Sequence, residues 1–323
     1  MNDVEQNVTQ ILRSNDLRFG EVIQSLWSGY RVIQRVTYDR RPAVLKYVDL
    51  SELRSNRRGW GNQFSHQRKL KSYQVEKAFY QNFGDQCGDY CRIPKLIRSE
   101  YSIEKKKLVL ILEDLDHTGF HDRRSTTLNK NELASCLSWL ANFHAEFITV
   151  VPDGLWEIGT YWQLGTRPDE FERMPEGPLK NHASSIHQKL ESTRFKTLVH
   201  GDAKLANFCF SPSGTVAAVD FQYVGGGCGI KDIAYFISSC FEENEAAENE
   251  SVVLDVYFEQ LGKRLTQLGK DVDVELLTKE WRELFPFAWA DFVRFLTGWS
   301  PGHWKLNTYS RKMTSLAIES LSD

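Results

Sequence analysis

Paired cysteines, long apolar runs and a surplus of positive charge are all missing from this 323-residue chain. Its six cysteines, at positions 87, 91, 136, 209, 228 and 240, contain no C-x-x-C pair. Cys87 and Cys91 have no His–Cys partner set nearby to complete a zinc site, so reduced, mostly buried thiols in a cytoplasmic protein are expected. The longest aliphatic run, Leu108 to Leu112, is far short of the roughly 20 residues that cross a bilayer, and no membrane partner is expected. The first twenty residues hold no apolar run of signal-peptide length, so export is not expected either. Lys and Arg number 40 against 43 Asp and Glu, a net charge of −3 at pH 7. Proteins that grip nucleic acid by neutralising phosphates usually carry a basic surplus, so nucleic acid is not expected as a partner. Internal repeats and low-complexity tracts are absent too, and the sequence says nothing of oligomeric state.

What is present is an ordinary globular composition, 41% hydrophobic and 26% charged, at a length that suits two domains or one bilobal one. From Ile33 to Asp49 the turn Asp39-Arg40-Arg41-Pro42 separates two β-branched runs, which reads as a hairpin. In its second run Lys46 shares a face with Val44 and Val48, while Leu45 and Tyr47 take the other. Arg54 to Lys71 is a basic insertion, expected as a solvated loop. Lys69 to Phe83 repeats apolar residues near the helical period, with Glu76 at its middle. Arg92–Ile97 and Lys107–Leu112 read as strands, the second buried on both faces. Asn131–Ile148 carries Leu133, Leu137, Leu140, Phe143 and Phe147 along one helical face. The acidic tract Glu242–Glu250 is expected as a solvated loop or helix end, with long helices over Val252–Leu268 and Val274–Leu296. The pattern predicts an α+β chain of two lobes: a strand-rich lobe over 1–115 and a helical lobe over 116–323, the latter interrupted by a short β segment at 198–221.

That interruption concentrates the chemistry. It reads Leu198-Val199-His200-Gly201-Asp202-Ala203-Lys204-Leu205-Ala206-Asn207-Phe208, then a Ser211-Pro212-Ser213-Gly214 turn, then Thr215 to Phe221 with Asp220 at its end. Two apolar strands each ending in a carboxylate, with an asparagine between, would gather three oxygen-bearing side chains. Asn207 and Asp220 suit Mg²⁺, which takes hard oxygen ligands and fills its shell with phosphates. Asp202 is then left to orient a hydroxyl nucleophile, as phosphoryl transfer requires.

HGDAKLAN followed by VDFQ resembles the catalytic loop and metal-binding strand of the aminoglycoside phosphotransferase and choline kinase superfamily. The tracts SHQRKLKSYQVEKAFY, LVLILEDL, GTYWQLGTRPDE and GWSPGHWK are similar to its ecdysteroid-kinase-like branch, over roughly residues 20–310. The resemblance implies a bilobal protein-kinase-like fold and an ATP- and Mg²⁺-dependent kinase acting on a small-molecule hydroxyl. By position it implies Asp202 as the base, with Lys204 near the γ-phosphate. Asn207 and Asp220 become the Mg²⁺ ligands, and Lys46 the α/β-phosphate lysine paired with Glu76. Asp232 would brace the catalytic loop. Glu113 to Leu115 would form the hinge that takes adenine. The phosphate-covering loop, with Ser28, falls in Ser25–Arg31, which lacks G-x-G-x-x-G spacing. Gln222 stands where protein kinases keep the Gly of DFG.

The plainer readings differ. Gly225-Gly226-Gly227 follows the second carboxylate strand rather than opening a helix, so it is expected as a flexible loop. His200 and His144 are expected to fix backbone and core. Trp156, Tyr161, Trp162, Trp299 and Trp304 are expected around the acceptor, favouring a bulky, largely apolar alcohol over a polycationic one. A nucleotide-binding module without transfer activity is one alternative. A protein kinase is the other, although only twelve positions separate Asp220 from Asp232.

Overall fold

The computed structural model describes residues 3–14, 16–25, 31–49, 63–102, 107–125 and 128–321. A first helix, α1 (Asp3–Leu12), precedes three antiparallel strands: β1 (Leu17–Ser25), β2 (Arg31–Tyr38) and β3 (Arg41–Asp49). Asp39 and Arg40 both take positive φ, 45° and 62°, between paired Tyr38 and Arg41. This two-residue turn has the twist that antiparallel strands favour, and it is tighter than the four-residue turn expected. Helix α2 (Gln63–Asn82) then leads to β4 (Leu96–Ser102) and β5 (Lys107–Glu113), completing a sheet of order β1-β2-β3-β5-β4.

The central strands are covered on both sides. Ala43, Leu45, Tyr47, Val109 and Ile111 pack with Val8 of α1. Val48, Leu108, Leu110 and Leu112 join the main core with Tyr73 and Phe79 of α2 and Phe83 just after it. Double cover explains the unbroken aliphatic run of β5. Two boundaries need correction. Helix α2 begins at Gln63, so the end of the basic insertion is helix, while residues 50–62 lie outside the described residues. Arg92–Lys95 is coil, and the strand expected there starts only at Leu96.

A two-residue strand, β6 (Asp122–Arg123), opens the helical part, followed by α3 (Lys130–Glu146), α4 (Pro168–Glu172), α5 (Pro178–Asn181) and α6 (Ala183–Glu191). Asn129 caps α3 in a reciprocal box with Glu132. The β interruption comprises β7 (Thr197–Val199), β8 (Phe208–Phe210), β9 (Val216–Ala218) and β10 (Gly225–Gly227). Helices α7 (Ile230–Cys240), α8 (Glu243–Gln267), α9 (Val274–Trp299) and α10 (Thr308–Glu319) complete the chain. The fold is thus a small antiparallel sheet beside a larger helical part.

The triple glycine is not a flexible loop. It is buried and pairs with β7, Gly225 opposite Val199 and Gly227 opposite Thr197. A Cβ on Gly225 would lie 2.2 Å from the Trp156 carbonyl oxygen, so only glycine admits the 156–159 backbone. The acidic tract takes the helix end of its two expected forms: Glu242 caps α8 with Glu245, and Glu243 and Glu245 sit in its first turn. Carboxylates there complement the helix dipole, which is why an acidic run starts a helix rather than staying loose.

Candidate active site

The site forms where α2, the end of β3 and the segment after β9 meet. Lys46 Nζ lies 2.8 Å and 2.7 Å from the two Glu76 carboxylate oxygens and 3.3 Å from Asp220 Oδ1. Lys46 and Glu76 are buried; Asp220 keeps 36% of its side chain exposed. Burial opposes the Lys46 ammonium, but Glu76 and then Asp220 outweigh it and raise its pKa. Burial pushes Glu76 up to about 7 against the pull of Lys46. Partial burial pushes the Asp220 carboxyl upward, yet Lys46 and then Lys204 hold it below the usual carboxylate range.

Aromatic packing fixes this meeting. Phe221 stacks on Phe79 of α2 with ring centroids 4.2 Å apart, and the His200 ring lies 4.6 Å from Phe221. Phe79 is three residues beyond Glu76, so the stack that seats Phe221 also sets the height of Glu76. Asp220 itself has φ of 71°, a left-handed conformation that costs a non-glycine residue about 1–2 kcal/mol. Gln222 donates to Asp220 Oδ1 at 2.7 Å and accepts from Ser72 of α2 at 3.4 Å. Sequence reading registered Gln222 only as a departure from DFG; its amide holds the carboxylate.

The loop after β7 is braced from below. Asp232, fully buried, accepts the His200 amide at 2.5 Å, the Gly201 amide at 3.0 Å and His144 Nε2 at 3.1 Å. Gly201 has φ of 78°, and a Cβ there would meet the Tyr223 carbonyl oxygen at 2.1 Å. Burial lowers the His200 pKa. Its neutral ring accepts the Asp202 amide on Nδ1 at 3.2 Å and donates from Nε2 to the Val219 carbonyl at 3.1 Å. It therefore ties the two carboxylate-bearing segments together.

Asp202 Oδ2 accepts from Lys204 Nζ and Asn207 Nδ2, both at 3.1 Å, and Asn207 Nδ2 also bonds the Asp202 carbonyl at 2.8 Å. Asp202 Oδ1 is buried without a hydrogen-bond partner. Burial raises the Asp202 pKa despite Lys204. Because Asn207 uses its nitrogen on Asp202, its oxygen is left for a cation. Asn207 and Asp220 line the same cleft, and their oxygens are the hard donors that Mg²⁺ prefers.

That cleft is a cavity of about 250 Å³ with Ile33, Val44, Leu112 and Val219 as apolar walls. Glu113 and Leu115 also line it. The Glu113 amide bonds the Lys95 carbonyl, and the Leu115 carbonyl takes the Phe120 amide. Those two hinge groups are therefore engaged already, which sequence could not show. Arg35, which sequence reading passed over, crosses the cleft mouth to Asp116 and to Asp114 at 2.9 Å. Ser28 and most of its loop lie outside the described residues.

The predicted aromatic surround is only partly assembled. Trp162 is fully buried, 4.8 Å from the Tyr235 ring and 5.3 Å from Phe292, so it is core rather than pocket wall. Trp156 donates to the Gln222 carbonyl at 2.8 Å and braces the segment that carries Asp220. Tyr161 donates to the Tyr235 hydroxyl at 3.2 Å. Trp299 and Trp304 are 40% and 58% exposed. The six cysteines are all buried and free, and among the described residues no helix is long and apolar enough to cross a membrane.

The profile of the ecdysteroid kinase-like family matches residues 61–152 and 160–270, more than half of the chain. No curated protein matches it. Among solved structures, amicoumacin kinase hAmiN, in complex with AMP-PNP, Ca²⁺ and Ami, is similar at 13% identity and TM-score 0.57, covering 100% of this chain and 94% of that one. A microcompartment-associated aminopropanol kinase is similar at 14% identity and TM-score 0.52, with coverage of 98% and 94%. Choline kinase LicA from Streptococcus pneumoniae follows at 13% identity and TM-score 0.51, covering 99% and 97%. At such identities the structural likeness establishes the protein-kinase-like fold.

Proposed function

The chain belongs to the ecdysteroid kinase-like family and is a small-molecule kinase, and we propose that it moves the γ-phosphate of ATP to a hydroxyl of a ring-containing acceptor. The observation that carries this reading is the buried, unpartnered Asp202 Oδ1 beside Asn207, Asp220 and the Lys46–Glu76 pair. An orphaned buried acceptor costs about 1–3 kcal/mol, a cost offset when a substrate hydroxyl donates to it.

In this mechanism the acceptor O–H donates to Asp202 Oδ1, which aims the oxygen lone pair at the γ-phosphorus. The new O–P bond forms as the bond from the γ-phosphorus to the β–γ bridging oxygen breaks. ADP leaves with that electron pair, and the acceptor proton passes to Asp202. The raised Asp202 pKa suits proton acceptance. Lys46 holds the α/β-phosphates, and Lys204, 3.1 Å from Asp202, offsets charge on the transferring group. Asn207 and Asp220 would hold Mg²⁺, which supplies charge neutralisation of the phosphates. The apolar walls of the cleft take the adenine, with Glu113 and Leu115 at its edge.

A protein substrate is disfavoured. Phe221 to Gly229 is all that lies between Asp220 and α7, and its last part is the buried β10, so no segment is left to hold a peptide. The test is ADP release across a panel of hydroxylated ring compounds, choline and an aminoglycoside, with Mg²⁺ present and absent. Release that depends on a ring alcohol, on Mg²⁺ and on Asp202 is expected, with Asp202→Asn lowering turnover by about 10²–10⁴ while ATP still binds. Undiminished turnover in that variant would remove Asp202 from the mechanism, and preference for the aminoglycoside would overturn the acceptor class.

A further inference from the structure

Lys305 closes the GHWK tract that follows α9, and its ammonium sits among aromatic rings. Nζ lies 5.4 Å from the Tyr235 ring centroid, 5.5 Å from Phe292 and 5.4 Å from Trp304. Among the described residues its ammonium hydrogen-bonds only the neutral Ser238 hydroxyl, at 3.3 Å, whose own proton goes to the Tyr235 carbonyl. Among the described residues no carboxylate forms an ion pair with it. The backbone is fixed: the Lys305 carbonyl accepts from Ser310 Oγ at 2.6 Å, and its amide donates to His303 Nδ1 at 3.2 Å. A lysine without a role would swing its head into water. This one is partly buried among rings without an ion-pair partner, and the acidic groups nearest it, Cys240 and Asp202, act on it only at longer range.

The place matters as much as the environment. Tyr235 forms one wall around the ammonium, and its hydroxyl reaches the neighbourhood of Asp202: burial, then the Asp202 charge, holds that phenol well above its ordinary range. Ser239, next to Ser238, accepts the Leu205 amide at 2.9 Å, three residues beyond Asp202. One turn of α7 therefore touches both the lysine and the catalytic loop. Lys305 lies outside the nucleotide cleft, whose lining does not include it.

We infer that Lys305 is a specificity residue for the acceptor, and that the acceptor carries an anionic group which pairs with Lys305 while its hydroxyl sits at Asp202. This deepens the kinase reading and rests on it. A partly buried ammonium flanked by π faces still lacks a strong acceptor, and an anion on the substrate supplies the charge-assisted bond. The same cage, already holding the chain's own cation, is closed to a quaternary ammonium and repels a polycation. Burial, against Cys240 and Asp202, pulls the Lys305 pKa down to about 8, in keeping with a cation that awaits its partner.

The test uses three probes that share one hydroxymethylphenyl frame and differ chiefly in charge: 4-(hydroxymethyl)benzoate, its methyl ester, and the corresponding benzyltrimethylammonium alcohol. Binding to the full-length protein with Mg·ADP is measured by calorimetry at pH 7, alongside ADP release with ATP. The benzoate is expected to bind at least about tenfold tighter than the ester, with the ammonium weakest. Lys305→Met, which keeps an apolar stem in the cage, should abolish that order, and Lys305→Arg should keep it. Equal affinities in the wild type, no benzoate binding, or an order that survives Lys305→Met would overturn the inference. So would a Lys305→Met effect on the ATP KM with the benzoate KM unchanged, because the lysine would then serve the nucleotide. Charge-ordered binding without ADP release from any alcohol overturns transfer and leaves the recognition; ADP release without charge order does the reverse.

Discussion

Replacing Asp232 by Asn changes one atom type at a fully buried position and tests how the catalytic loop is held. The carboxylate serves three donors, the His200 and Gly201 amides and His144 Nε2. An Asn side chain offers one acceptor oxygen and one NH₂. With its oxygen in the Oδ2 place it serves His200 and His144, but the NH₂ then faces the Gly201 N–H donor to donor. The opposite flip leaves two donors unpaired and is worse. One buried unpaired amide costs about 1–3 kcal/mol, and the two surviving bonds lose their charge assistance, about 1 kcal/mol more. The sum, about 2–4 kcal/mol, is a large share of a typical 5–15 kcal/mol stability. Because His200 also holds the Asp202 amide at 3.2 Å, the shift passes to the base, and a displacement near 1 Å costs about 10²-fold in rate. Urea unfolding and ADP-coupled kinetics on the same variant give both numbers. A loss of 2–4 kcal/mol with kcat down about 10²-fold and the ATP KM within about twofold is expected. Stability within about 0.5 kcal/mol of wild type and unchanged kcat would refute the bracing argument, and a raised ATP KM at constant kcat would relocate it to the nucleotide.

Other consequences are as direct. Asp220→Ala should weaken Mg·ATP binding by at least about tenfold in calorimetry, since it deletes the anionic oxygen donor of the proposed pair; unchanged affinity would remove Asp220 as a ligand. Phe221→Ala empties the space between Phe79 and His200 and should cost about 3–5 kcal/mol in urea unfolding, whereas a loss under 1 kcal/mol would mean that the stack does not set the height of α2. Affinity for the benzoate probe should fall as pH rises through about 8, because Lys305 is charged below that value and neutral above it. The groups facing Lys305 are Cys240, Asp202, Lys204 and His303, so Lys305→Arg, which stays charged, should flatten the profile; a slope that persists would assign it to one of those neighbours.

Sequence alone carried the parts of the fold whose cause is local. The alternation around Lys46 is a property of nine consecutive residues, and the structure keeps Val44 and Lys46 on the cleft side and Leu45 and Tyr47 on the other. The unbroken run of β5 likewise reports double burial. The failures share a different cause. Gly225–Gly227 looked loose because glycine has no intrinsic order; its order comes from β7 and the Trp156 backbone, distant in sequence. Glu242–Glu250 left a loop and a helix end both open, and the structure takes the helix end because the residues that follow extend it into α8. Strand β1 lacks a clean alternation because its pairing with β2 shifts register twice, whereas helix α1 does carry the helical period, Val4, Val8, Ile11 and Leu12 on one face, and could have been read from it.

The same division separates the two sides of the site. The transfer side was legible because Asp202, Asn207 and Asp220 lie within nineteen residues, and their spacing encodes the turn that gathers them. Lys46 and Glu76 then needed only one strand and one helix to reach that turn. The acceptor side has no such compact code. Tyr161, Tyr235, Phe292 and Lys305 come from four separated segments, and each alone reads as core packing or a solvated charge. Trp162 shows the hazard: it shares the composition of a pocket wall, yet it is fully buried, while its neighbour Tyr161 turns a hydroxyl toward Tyr235. Composition could count the rings but not say which edges face the substrate. It suggested an apolar acceptor because aromatic residues are numerous; composition could not place a lysine among the Tyr235, Phe292 and Trp304 rings, and that placement is what the proposed anionic group on the acceptor adds to the reading.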